Sequence, residues 1–409
     1  MYLLTPFLLM RLWWKGRSLP AYRKGIVQRF SLDTKKILPA DIWVHAVSLG
    51  EVIAATPLIQ KFLDNQRRVL VTNMTPTGLE HTKKQFGNKV VSRYVPYDIP
   101  IAIDCFLNAA KPKVCVIMET ELWPNLITRT RQKNIPVFIV NARLSEHSFQ
   151  GYEKIRWIMK SLLNQCTAIL AQSPYDADRF KRLGAEESRV KILGNIKFDM
   201  QLQDIGLDKY QQLLSHCGEE RIVVMLASTH EDEESQILQV FKALQVSIPK
   251  VLLSIAPRHP ERFQKVYQLS QKLGFNTGLR SDLSTLSPDN EIVILDSFGE
   301  IMGFYGISDY AFVGGSFVPI GGHNVLQPIA MQVPVFTGKY IHNFKTICEN
   351  LLEAQALIMV DNATNLVQEI ISLHSDPDRK KSLVKKAFQV LEENKGSLDK
   401  YFHEIEAVL

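Results

Sequence analysis

The stretch Gly314–Pro328, GGSFVPIGGHNVLQP, follows the apolar run Tyr310–Val313 and precedes the apolar segment Ile329–Met331. It therefore reads as a strand, a glycine-rich turn and a helix start. Glycine pairs let backbone come close to a ligand. Amides freed at such a turn, and at the helix N-terminus behind it, suit an anion and a phosphate above all. The competing reading is a structural loop whose glycines only permit tight bends. Two pairs ahead of His323 and Asn324 within one short loop favour a ligand site, with Gly314, Gly315, Ser316, Gly322 and His323 as candidates. The spacing is not G-x-G-x-x-G, which speaks against a simple NAD enzyme.

Upstream of this loop the same strand–turn–helix unit recurs. Ile222–Ala227 ends in STHEDEE, with Ser228, Thr229 and His230 before an acidic helix start. Val251–Ala256 ends in PRHPER, where Arg258 offers a rigid fork for phosphate, although a surface pair with Glu261 is the plainer alternative. Glu291–Leu295 leads to DSFGEI, in which Gly299 and Glu300 begin a helix, and Val333–Phe336 is a further strand. Three consecutive strand ends thus offer Arg258, the 298–300 turn and the 314–327 loop to one edge. Helices from Asp376 to the end carry alternating charge, lack glycine turns and read as structural.

The first half alternates in the same way through Ile42–Val47, Val69–Thr72, Val90–Val95, Val114–Met118, Val137–Val140 and Ala168–Ala171. Such alternation predicts an α/β fold, a mostly parallel sheet covered by helices on both faces. Glu51 stands where the first strand hands over to a helical run, Val52–Leu63. Ligands bind at the carboxyl ends of strands in such sheets, so Glu51 is a candidate base. A helix-start acid favoured by the dipole is the commoner alternative. The loop ETELWPN places Glu119 and Glu121 beside Trp123 at another strand end, and NARLS places Asn141 and Arg143 at the next. Lys197 lies in the turn ILGNIKFD. The Asp176–Asp178 pair suggests a metal-bound sugar nucleotide, but its context SPYDADRFKRLG is better read as a helix start with acids in the first turn. No His and carboxylate spacing resembles a metal site.

At 409 residues the chain exceeds what one hydrophobic core usually serves, so two domains of about 200 residues are expected. Its five cysteines, none spaced C-x-x-C, argue for a reducing compartment and against a disulfide frame or structural zinc. A net charge of +6 suits an anionic substrate or a membrane face and is too weak to indicate nucleic acid. Much of the excess sits at the N-terminus, where Arg11, Lys15, Arg17, Arg23, Lys24, Arg29, Lys35 and Lys36 are opposed only by Asp33. MYLLTPFLLM precedes them, and Arg11 interrupts the apolar run near half of the roughly 20 residues a spanning helix needs. Trp13 and Trp14 between cations suit the headgroup layer, so an interfacial anchor is expected over residues 1–30. No basic n-region or small-residue cleavage site marks a signal peptide.

The strings RLWWKGR, PAYRKG, HAVSLGE, MTPTG, METELWPN, NARLS, GNIKFD, STHEDEE, PRHPER, FVGGS and GGHN occur in order over nearly the whole chain. Together they resemble the 3-deoxy-D-manno-octulosonic acid (Kdo) transferases, inverting glycosyltransferases of lipopolysaccharide synthesis. The resemblance implies a GT-B fold, two Rossmann-like domains facing across a central cleft. With the alternation it divides the chain into an anchor (1–35), an acceptor domain (36–203), a CMP-sugar-binding domain (204–375) and terminal helices (376–409). It further implies CMP-Kdo as donor, a lipid A precursor (lipid IVA) as acceptor, no cofactor, no metal, no nucleic acid, and peripheral or monotopic attachment at the cytoplasmic face of the bacterial inner membrane.

By the same resemblance Glu51 matches the catalytic base, and Glu119 and Lys197 match residues that stabilise the transition state. Pro257, Arg258, Phe298, Gly299, Glu300, Asn324, Val325, Leu326 and Gln327 match the CMP site. One position departs from the family pattern: Gln327 stands where glutamate is usual, keeping an acceptor oxygen for ribose hydroxyls while losing the charge. The alternatives are a GT-B enzyme for another nucleotide sugar, or an epimerase of one, and a non-catalytic nucleotide- or lipid-binding homologue. Oligomeric state is left open.

Overall fold

The computed structural model describes residues 24–199 and 205–409, together with Met10, Trp13, Trp14 and Arg17. The expected interfacial anchor therefore lies largely outside the described residues; of it, Trp13 and Trp14 are exposed, with the Arg17 guanidinium 4.6 Å from the Trp13 ring centroid. The chain forms two compact units, Met1–Met200 with Asn394–Leu409, and Gln201–Glu393.

The first unit is built on seven strands: β1 Ile42–His45, β2 Val69–Asn73, β3 Val91–Tyr94, β4 Val114–Met118, β5 Val137–Ala142, β6 Ala168–Ala171 and β7 Val190–Ile192. They lie in the order β3-β2-β1-β4-β5-β6-β7, and every pairing is parallel. A parallel sheet must be covered on both faces, which is why these strands are apolar runs. Alternate residues divide between the faces. Val44, Val71 and Val116 pack with Ala55, Leu58 and Phe62 of the helix Leu49–Asp64. Trp43, Leu70 and Ile117 pack on the other side with Phe106 of the helix Pro100–Ala110. Burying a side chain such as Phe62 contributes about 2–3 kcal/mol.

The second unit repeats the plan with β8 Ile222–Thr229, β9 Val251–Pro257, β10 Thr277–Leu279, β11 Ile292–Ile294, β12 Tyr310–Val313, β13 Val335–Thr337 and β14 Ile358–Met359. Their order is β10-β11-β9-β8-β12-β13-β14, again wholly parallel. Strand order reverses direction between β1 and β4 in the first sheet and between β8 and β12 in the second. At such switch points adjacent loops part and leave a crevice at the strands' carboxyl ends.

Three sequence expectations need correction. The short strands β10 and β14, three and two residues long, are additional to those read from the sequence. Arg29 is not a surface cation: it is fully buried, donates to the Met74 carbonyl (2.9 Å) and lies over the Tyr94 ring. The terminal helices do not act as one block, and a glycine turn does part them. Pro377–Glu393 belongs to the second unit, whereas Ser397–Glu406, entered through left-handed Gly396 (φ 86°), belongs to the first. Asp199 accepts from the amides of Gly396 (2.6 Å) and Leu398 (2.7 Å), and Tyr401 donates to the Gly194 carbonyl (2.7 Å). Leu398, Tyr401, Phe402 and Ile405 thereby complete the core beneath the helix Leu49–Asp64.

Candidate active site

In the first unit the site is assembled at the β1/β4 switch point. Ser48 caps the helix Leu49–Asp64 and Glu51 occupies its third position, a reciprocal capping box. The Glu51 carboxylate accepts from the Val47 amide (2.8 Å) and the Ser48 hydroxyl (2.7 Å). It is buried, and that burial pushes its pKa up to about 7; the negative fields of Glu121 and Glu119 add to the rise, and the bonds from Ser48 and Val47 oppose it. A carboxyl with this poise is half ionised near neutrality, as a general base requires.

Glu119 follows β4 in a left-handed conformation (φ 53°). Its carboxylate accepts from Arg143 Nε at 2.8 Å and lies 3.6 Å from Lys197 Nζ. Burial lowers the Lys197 pKa, while the charges of Glu119 and Glu51 act to raise it. Glu121, from the same loop, accepts from Trp123 Nε1 (2.8 Å), and its own pKa is raised by burial. Glu119 thus pairs with two cations, and the negative charge of Glu121 raises the Glu51 proton affinity.

Asn141, marked in the sequence at its strand end, and residues not singled out there hold this cluster in place. Asn141, also left-handed (φ 53°), accepts from the Ile196 amide (3.1 Å), and Asn195 accepts from the Lys197 amide (3.0 Å). Gln172 ties them, donating to the Asn141 carbonyl (2.8 Å) and accepting from Asn195 Nδ2 (2.9 Å). His45 is wholly buried, its pKa lowered to about 3 by desolvation, with its ring edge-on to Trp123 at 5.0 Å. The available signal was the recurrence of polar residues at the ends of apolar strands. Asp176 sits in the first turn of the helix Pro174–Arg182, bonded to Ser173 and to the Leu144 amide (2.8 Å).

The glycine-rich loop of the second unit differs from the expected cradle of free amides. Glu233, fully buried at the start of the helix Glu233–Ser247, accepts from the amides of His230 (2.9 Å), Gly315 (2.8 Å), Ser316 (2.9 Å) and Phe317 (2.9 Å). The anion that fills this nest is a side chain of the protein. Ser316 is buried too, its hydroxyl donating to the Val313 carbonyl (2.7 Å) and accepting from the Gly338 amide (2.8 Å). The amides of Gly321 and Gly322 turn back to the Gly315 carbonyl. Gly314 is required for close approach: a Cβ there would stand 2.8 Å from both Ser228 O and Thr229 Cα.

What the loop leaves accessible is its second part. His323, Asn324 and Gln327 are half-buried, and Asn324 Oδ1 accepts from the Leu326 amide (3.1 Å), with Val325 buried between them ahead of the short helix Leu326–Ala330. His323 Nε2 lies 2.8 Å from His230 Nε2. Pro257 ends β9, and Arg258 beyond it is exposed, with no side-chain hydrogen bond or ion pair to another described residue. The alternative, a pair with Glu261, does not form; Arg262 bonds Glu234 (3.0 Å) and Glu231 (3.4 Å). Past β11, Phe298 is exposed, Gly299 is left-handed (φ 80°), and Glu300 accepts from Arg280 (2.9 Å) and Ser297. The second-unit candidates thus all stand at the carboxyl end of their sheet. Among the described residues no group of three or more His, Cys, Asp or Glu is placed to hold a metal ion.

Two parallel seven-stranded sheets, each with a switch point lined by these groups, define a GT-B glycosyltransferase architecture. A glycosyltransferase from Rickettsia africae shares the fold with TM-score 0.60 at 15% identity, over 90% of this chain and 98% of that one. Anabaena HepE, solved in complex with UDP, does so with TM-score 0.59 at 14% identity, over 90% and 100%.

Sequence narrows the class. The family described as 3-deoxy-D-manno-octulosonic-acid transferase (kdotransferase) matches residues 23–200. The 3-deoxy-D-manno-octulosonic acid transferase of Haemophilus influenzae is 38% identical over 386 residues, 93% of this chain and 90% of that protein. That of Bordetella pertussis is 32% identical over 355 residues, 85% and 82%. The chain belongs to the Kdo transferase family and is a glycosyltransferase.

Proposed function

We propose that the protein transfers Kdo from CMP-Kdo to a lipid A precursor, lipid IVA, by a single inverting displacement at the cytoplasmic face of the bacterial inner membrane. The observation that carries this reading is the Glu51 carboxyl, buried and poised at about 7 beside the Glu119–Lys197–Arg143 cluster. The ionised Glu51 accepts the proton of the acceptor hydroxyl as its oxygen attacks the anomeric carbon. The bond from that carbon to the CMP phosphate breaks, and its electron pair stays on the phosphate oxygen. One base suffices for inversion, since no covalent intermediate needs a second carboxylate. Lys197 and Arg143 supply positive charge, held by Glu119, where negative charge develops.

The second unit takes the CMP moiety through Pro257, Arg258, the Phe298–Glu300 turn and Asn324–Gln327, in line with their common place at the carboxyl end of the sheet. Residues 1–30 serve the membrane surface, and the exposed Trp13 and Trp14 suit a headgroup layer. The test is mass spectrometry of the product formed from lipid A precursor and CMP-Kdo, which also counts the Kdo units added. Glu51→Gln lowers the rate by about 10²–10⁴-fold with folding intact. Wild-type turnover by that variant refutes the base assignment, and tighter calorimetric binding of UDP or ADP than of CMP refutes the donor.

A further inference from the structure

Beside the switch point of the second sheet, the His230 and His323 rings are stacked 3° from parallel with their centroids 5.1 Å apart. Their Nε2 atoms lie 2.8 Å apart. A hydrogen bond between two imidazole nitrogens needs one protonated and one bare, so the neutral pair shares a single proton along this edge. The pair is held from below, because the His230 amide is bound by buried Glu233 and the Gly315 backbone lies against both rings.

The charged and titratable groups around the pair are of both signs, but the carboxylates are engaged elsewhere. From the end of β9 come Arg258, whose side chain has no partner among the described residues, and His259, with its ring 5.4 Å from that of His230. Arg262 also acts on His230, but Glu231 and Glu234 pair with it. Glu233 faces the backbone amides. Burial, then Arg258, lowers the His323 pKa to about 3, and His230 is lowered by burial, His259 and Arg258. The result is one guanidinium, that of Arg258, unpaired among the described residues, beside two imidazoles, a seat that an anion would complete.

We propose that His230, His323 and Arg258 form the phosphate seat of the second unit, the two histidines acting as a pair that takes up a proton when a phosphomonoester binds. This rests on the donor reading given above. A phosphate dianion beside the pair favours its charged form, so protonation and binding reinforce each other. During transfer the same proton hydrogen-bonds the phosphate oxygen that receives the electron pair of the broken bond, which opposes return of the sugar.

The experiment is calorimetry of CMP and of cytidine against the full chain at pH 7, in two buffers of different ionisation enthalpy. The proteins are wild type, His230→Gln, His323→Gln and Arg258→Ala, with thermal melting to verify folding. Wild type is expected to take up part of a proton on binding CMP and none on binding cytidine, with CMP affinity falling as pH rises from 6 to 8. Each histidine variant loses this proton uptake and about tenfold in CMP affinity while binding cytidine as before; Arg258→Ala loses CMP affinity alone. Wild type that binds CMP without proton uptake, or folded histidine variants that keep it, overturn the proposal and leave the donor reading standing. Wild type that does not bind CMP overturns both.

Discussion

Glu233 Oε2 lies 2.8 Å from the amide nitrogen of Gly315, 82 residues further along the chain. The loop that most resembles a phosphate cradle is therefore closed from within, and the amides of Gly315, Ser316 and Phe317 serve architecture. Replacing Glu233 with glutamine puts an NH₂ group opposite backbone N–H donors. Glu233→Gln is expected to lower the stability of the second unit by about 3 kcal/mol, since at least one buried donor is orphaned. Urea denaturation checks this, and an unchanged midpoint shows that the nest does not depend on the charge.

Glu51 predicts a pH profile. Its proton is lost near 7, so kcat/KM rises by about tenfold per pH unit below that value and levels above it. Glu121→Gln removes one of the negative neighbours and moves this limb to lower pH. A limb that stays in place separates Glu121 from the base.

The same shift has a stability consequence of opposite sense. Between the ordinary carboxylate range and about 7, the folded chain keeps a proton that the unfolded chain has released, so Glu51 subtracts stability as pH rises through this window. Glu51→Gln flattens that part of the stability–pH curve, as read by thermal melting from pH 4 to 8. A curve identical to that of wild type shows that Glu51 ionises normally.

Glu119 is expected to act through Lys197 and Arg143. Glu119→Ala leaves both cations without the carboxylate that aligns them and lowers kcat about 10²-fold, with little change in melting temperature. An undiminished kcat removes this cluster from the reaction.

The final helix is a part of the first unit's core, joined by Asp199, by the Tyr401 hydroxyl and by the ion pairs Lys61–Asp399, Arg67–Glu406 and Lys191–Glu404. Deleting residues 394–409 strips an apolar face from the helix Leu49–Asp64 and makes the first unit the earlier to be cut in limited proteolysis. Tyr401→Phe alone costs about 1 kcal/mol. Equal protease resistance with and without the helix contradicts this account.

The sequence by itself determined the layer architecture, because apolar runs ending in glycine and polar turns can only be buried as a parallel sheet between helices. It also offered Glu51, Glu119 and Arg258 as candidates, since chemistry collects at the carboxyl ends of such sheets, whereas Lys197 was marked only by the resemblance to Kdo transferases. Tertiary structure alone decided who meets whom. Strand order brought Glu51 and Glu119 together across β1 and β4, 68 residues apart, and paired His230 with His323 across β8 and β12. It also turned the apparent anion loop into a nest for Glu233, buried Arg29 and returned the last helix to the first unit. Local pattern cannot reveal such contacts: a hydrogen bond or a desolvation cost depends on neighbours distant in the chain, which only folding assembles.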